Sequence, residues 1–71
     1  MTHKEYKNKM LIRSFCKTTN NKFFSIKVNG KSVSTTKSKI KFYSSRIIVD
    51  NKVFKYTDIR QLRQKERVIN L

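Results

Sequence analysis

Phe23-Phe24-Ser25-Ile26-Lys27-Val28-Asn29-Gly30 is the stretch on which the fold of this chain turns. Phe24, Ile26 and Val28 alternate with Phe23, Ser25 and Lys27, the period of two that puts one face of a strand in a core and the other in water. Asn29-Gly30 follows at once, and both residues accept the positive φ that a two-residue type I′ hairpin turn demands. Lys31 to Thr35 is therefore expected to pair back on 24–28. Its one apolar side chain, Val33, and its lysine mark it as an edge strand.

Toward the C-terminus the alternation resumes. From Ser38 to Tyr43, Ile40 and Phe42 point inward while Lys39, Lys41 and Tyr43 point outward, and Ser44-Ser45 offers a turn. Arg46-Ile47-Ile48-Val49 and Lys52-Val53-Phe54-Lys55-Tyr56 flank Asp50-Asn51, a second two-residue hairpin signal. The expectation is an antiparallel meander from Lys22 to Tyr56. Beyond it, Ile59, Leu62 and Ile69 recur at a spacing closer to a helical face than to a strand, with Asp58 placed to cap and Gln61 where a capping-box partner belongs. That reading puts Arg60, Arg63, Gln64 and Arg67 on one exposed face; a rival reading of equal weight makes Arg67 to Leu71 a closing strand.

Toward the N-terminus, Met1 to Lys9 is polar. Thr2-x-x-Glu5 fits a capping box, so this segment is either a short helix or a flexible basic arm. Met10-Leu11-Ile12-Arg13-Ser14-Phe15-Cys16 is apolar and of strand length, and Thr18-Thr19-Asn20-Asn21 reads as the turn after it. The fold class expected is mainly β, with α+β as the variant. It is a small antiparallel meander or barrel-like sheet of about five strands, with a C-terminal helix as an option, an arm over 1–9 and one domain over 10–71.

Charge narrows the function. Eighteen Lys and Arg against four Asp and Glu give a formal charge of +14, spread from Lys4 to Arg67. A surface of that kind repels itself until an anion neutralises part of it. The longest apolar runs, Met10-Leu11-Ile12 and Ile47-Ile48-Val49, fall far short of the roughly 20 residues that span a bilayer. No signal-like apolar stretch backs Met1 to Lys9, and the single cysteine, Cys16, agrees with a reducing compartment, so the expected location is cytoplasmic with no membrane partner. The chain has no Ala, Pro or Trp and is rich in Lys, Asn and Ile, which points to an A/T-rich genome, such as that of a low-GC bacterium or its phage. The preference for Lys over Arg therefore reflects codon usage as much as phosphate binding.

The residues that perform catalysis are sparse. His3 is the only histidine, Cys16 sits in an apolar run with no partner in view, and Glu5, Asp50, Asp58 and Glu66 are scattered without metal-ligand spacing. Gly30 stands alone, so there is no phosphate-cradling loop. No cofactor, no metal and no enzymatic activity are expected.

Binding is favoured instead. Lys39, Lys41 and Tyr43 on one strand face would offer ammonium groups to phosphates and a ring for a base to stack on. Lys27 repeats the pattern beside Phe23, which either stacks or covers a second small core. Arg46 and Lys55 extend the surface, and Arg60, Arg63 and Arg67 add a C-terminal set. The partner expected is nucleic acid, RNA or a single strand ahead of sequence-specific duplex DNA. Two alternatives remain: a phage-type inhibitor or adaptor that binds an acidic host protein, and an RNA-cleaving toxin built on Tyr43, Arg46 and Lys55.

Overall fold

The computed structural model describes residues 2–19 and 22–71. Its first element is a helix, α1 (His3–Thr18). Thr2 starts it: the Thr2 Oγ1 accepts from the Glu5 amide at 3.2 Å and its carbonyl from Tyr6 at 3.0 Å. The strand expected over Met10 to Cys16 is thus corrected, and His3 to Lys9 supply the opening turns of the same helix; of the expected arm over 1–9, Met1 lies outside the described residues. Asn8, Ile12, Phe15 and Cys16 form its buried stripe, continued by Thr19 just past its end. Only the middle of that stripe is apolar. The polar members are hydrogen-bonded inside: Asn8 Nδ2 donates to the Tyr56 carbonyl at 3.0 Å, and the Thr19 hydroxyl donates to Gln64 Oε1, leaving Gln64 Nε2 buried without a partner. The turn expected over 18–21 lies partly outside the described residues, at 20 and 21.

Seven strands follow: β1 (Phe24–Val28), β2 (Lys31–Thr35), β3 (Ile40–Phe42), β4 (Ile47–Val49), β5 (Lys52–Phe54), β6 (Ile59–Gln64) and β7 (Arg67–Asn70). They make two antiparallel sheets, ordered β2-β1-β6-β7 and β3-β4-β5. Both expected hairpins form. Asn29 and Gly30 have φ of 49° and 84°, and Asp50 and Asn51 have 50° and 67°, as type I′ turns require. β2 lies at a sheet edge as expected, and so do the three-residue strands β3 and β5.

The single meander does not form. After β2 the chain passes through Thr36 and a 3₁₀ turn, Lys37–Lys39, into the other sheet, and β1 takes β6 as its second neighbour. The C-terminal helix is also absent: β6 and β7 are a hairpin, Leu62 opposite Ile69 and Gln64 opposite Arg67, turned through Lys65 at a φ of 54°. The misleading spacing has a local cause. Val28 pairs with Ile59 but Lys27 with Gln61, so Arg60 is an extra residue in a β-bulge. The bulge puts Ile59 and Leu62, three apart, on the same buried side.

The core lies among α1 and the two sheets. Ile12 and Phe15 from the helix meet Phe24, Ile26 and Leu62 from the first sheet and Ile47 and Val49 from the second, with the Phe15 and Phe24 rings edge to face at 5.1 Å. Tyr56, wholly buried in a second 3₁₀ turn (Tyr56–Asp58), joins all three parts. Its hydroxyl donates to the Tyr43 carbonyl beyond β3, and its own carbonyl receives Asn8 from α1. Asp58 caps that turn rather than a helix, accepting from the Lys55 amide at 3.1 Å. Among the described residues no helix is long and apolar enough to cross a membrane.

Candidate nucleic-acid interface

The register of the three-stranded sheet assembles the site. Ile40, Val49, Phe42, Ile47 and Phe54 turn toward the core, so the intervening row, Lys41 opposite Ile48 opposite Val53, faces outward. One residue further along, the Tyr43 amide donates to the Arg46 carbonyl at 3.0 Å, and continuing the β4–β5 register sets Lys55 beside Arg46. Tyr43, Arg46 and Lys55 therefore form a second outward row. The Arg46 guanidinium lies 5.8 Å from the centre of the Tyr43 ring, which is 43% exposed. Beside Lys41, the first row carries half-buried Ile48 and exposed Val53.

Lys39 joins this face from the 3₁₀ turn rather than from a strand. Together with Lys41, Ser38, Asp50 and Asn51 it lines a cleft of about 360 Å³ at the end of the sheet. Asp50 is the carboxylate in that cleft, and it is engaged: its Oδ1 accepts from the buried Thr35 hydroxyl at 3.1 Å. That bond leaves the negative charge of Asp50 in place, but two ammonium groups against one carboxylate keep the cleft net positive toward an external phosphate.

Five of the nine residues expected from sequence thus share one face: Lys39, Lys41, Tyr43, Arg46 and Lys55. The other four do not join it. Lys27 and Arg63 lie on the outer face of the four-stranded sheet, in rows with Ser32 and Gln61 and with Ser25 and Val68. Arg60 is the bulged residue beside them. Arg67, opposite Gln64, turns to the core side, where its guanidinium stands 4.7 Å from the centre of the Phe15 ring. The expected common face of Arg60, Arg63, Gln64 and Arg67 is corrected by the strand geometry. Phe23 is 67% exposed, and among the described residues it covers no second core.

In the outer row Arg46 and Lys55 are of the type that can stabilise a developing phosphorane charge, and Tyr43 supplies a hydroxyl beside them. Among the described residues no three His, Cys, Asp or Glu side chains are grouped to hold a metal ion.

Cys16 is 9% exposed, and burial pushes its thiol from 9.0 up to about 11, with Lys37 pulling weakly the other way. The thiol is accordingly neutral and a poor nucleophile. Because the unfolded chain ionises this group at lower pH than the folded one, the contribution is intact below about pH 9 and lost as pH rises toward about 11, amounting to roughly 2 kcal/mol. Burial raises the Tyr56 phenol as well, in the same sense. Urea midpoints measured at neutral pH and at about pH 10.5 should therefore fall further for the parent protein than for Cys16→Ala. Equal falls would show that the thiol is not held neutral by the fold.

Comparison with protein-family models, with curated proteins and with solved structures finds no significant match for this chain.

Proposed function

We propose that this protein binds nucleic acid, RNA or another single strand ahead of sequence-specific duplex DNA, on the outer face of the β3-β4-β5 sheet, and that it binds without catalysis. The supporting observation is that Lys39, Lys41, Arg46 and Lys55 share one sheet face with the exposed Tyr43 ring, Arg46 against the ring and Lys39 and Lys41 at the cleft that also holds Asp50. Cations spaced along a sheet neutralise successive phosphates, and an exposed ring gives an unpaired base a surface to stack on. A duplex keeps its bases stacked and cannot use Tyr43 in this way. The setting proposed is the cytoplasm.

Fluorescence anisotropy with single-stranded RNA, duplex RNA and duplex DNA tests this. Four phosphate contacts to a single strand at about 0.7 counterions each give a log–log salt slope near −3. Tightest binding to the single strand with a slope of that size is the expected result. Affinity independent of salt overturns the polyanion reading, and equal affinity for all three reduces it to unselective attraction.

A second reading has its own observation. Ile48 and Val53 give the face an apolar centre with a charged rim, the anatomy of a small protein interface. An acidic host protein would fit it. Nuclease-resistant recovery of one partner protein, with no oligonucleotide binding, would favour this inhibitor or adaptor role.

A further inference from the structure

The helix brings a second set of cations to the other side of β3. Arg13 and Lys17 on α1 and Lys37 in the 3₁₀ turn surround a groove of about 270 Å³ whose floor is the partly exposed Phe42 ring, with Cys16 as an apolar wall. The Arg13 guanidinium is 5.9 Å from the centre of that ring. Lys37 is already tethered, its ammonium donating to the Thr19 carbonyl at 3.4 Å, so less side-chain freedom is lost when it meets an anion. No carboxylate lines the groove. Three cations around an aromatic floor, uncompensated from within, complement one nucleotide of a flexible polyanion. A groove this size is at the small end of ligand sites.

Its position connects it to the outer face. Lys41 and Phe42 are neighbours on β3 that point to opposite sides, Lys41 outward and Phe42 into the groove. β3 is the edge of its sheet, so no further strand stands between the two. We propose that the bound single strand crosses the β3 edge and seats one nucleotide in this groove, its base against Phe42 and its flanking phosphates on Arg13, Lys17 and Lys37. This rests on the reading of the outer face as the main interface and adds a subsite to it.

The probe is a fluorescein-labelled oligouridylate of about 12 nucleotides, within the range one small β-domain covers. Arg13→Gln with Lys17→Gln and Lys37→Gln removes three contacts while keeping helix-compatible side chains. It is compared with Lys4→Gln, Lys7→Gln and Lys65→Gln, which removes the same charge from exposed positions away from the groove. The expected result is a loss of about 10-fold or more in affinity beyond the control triple, and a salt slope shallower by about two. Photo-crosslinking with 5-iodouridine in the same oligonucleotide provides a readout that needs no variant: adducts are expected on Phe42 as well as on Tyr43. Equal weakening by both triples, or adducts on Tyr43 with none on Phe42, overturns the subsite and leaves the outer face standing. Failure of the parent protein to bind the oligonucleotide overturns both.

Discussion

Lys41→Glu combined with Arg46→Glu is expected to weaken single-strand binding on the order of 100-fold at about 50 mM salt, and to make the salt slope shallower by about 1.4. The two residues sit in adjacent outward rows, one beside the Ser38–Asn51 cleft and the other over the Tyr43 ring. Each reversal removes a phosphate contact and installs repulsion. Arg46→Glu also takes the guanidinium from Tyr43, so a small change in base preference should accompany the loss. The same pair of reversals at Lys27 and Arg63, on the outer face of the other sheet, supplies the comparison. It should cost only what lowering the net charge of the whole molecule by four costs. Equal losses from the two double variants would mean that the anion answers to overall charge and not to a face. Because all four side chains are exposed, neither variant should shift the unfolding midpoint by more than about 0.5 kcal/mol.

The largest expected effect on stability belongs to Tyr56→Ala, at about 3–5 kcal/mol. The ring is fully buried where α1, the β3–β4 connection and β6 come together, and its removal leaves a cavity that none of these elements can close alone. A domain of this length has few kilocalories in hand. Tyr56→Ala should therefore be largely unfolded at 25 °C, seen as lost near-ultraviolet dichroism. Tyr56→Phe keeps the ring and drops the hydroxyl bond to Tyr43, so its cost should be about 1 kcal/mol, or a melting temperature lower by about 4–8 °C. Tyr6→Ala on the exposed side of α1 is the reference. If Tyr56→Ala is no worse than Tyr6→Ala, the 3₁₀ turn is not the junction of the fold.

These effects bear on what can be read from such a sequence. The paired strands between Phe24 and Phe54 were legible because alternation sets the face and Asn-Gly and Asp-Asn set the register. The row Tyr43, Arg46 and Lys55 follows from that register, which is why most of the outer face is visible before any coordinates. The start of the helix was legible in Thr2-x-x-Glu5 as one of two readings, but its extent was not, because Asn8 and Thr19 complete its buried stripe and a pattern of apolar residues alone shows only the segment between them. With that extent hidden, the Arg13, Lys17 and Lys37 groove was hidden too. The closing strand over Arg67 to Leu71 was legible as one of two readings and is β7; its partner β6 was masked twice, because the Arg60 bulge imitates helical spacing and the turn runs through Lys65-Glu66, with a lysine in the left-handed region that ordinarily favours Gly or Asn.

The brevity of β3 and β5 carries a colloidal consequence. Free in solution, copies of this chain are kept apart by their like charge. On the proposed function, a bound polyanion would cancel that barrier as several copies gather along one strand. On the three-stranded sheet, whose outer face is the proposed interface, edges of three residues offer too few backbone partners to zip neighbouring molecules together, while the longer edges β2 and β7 belong to the other sheet. Spacing of neighbouring copies through the three-stranded sheet would then follow the polymer and not strand pairing at that sheet's edges.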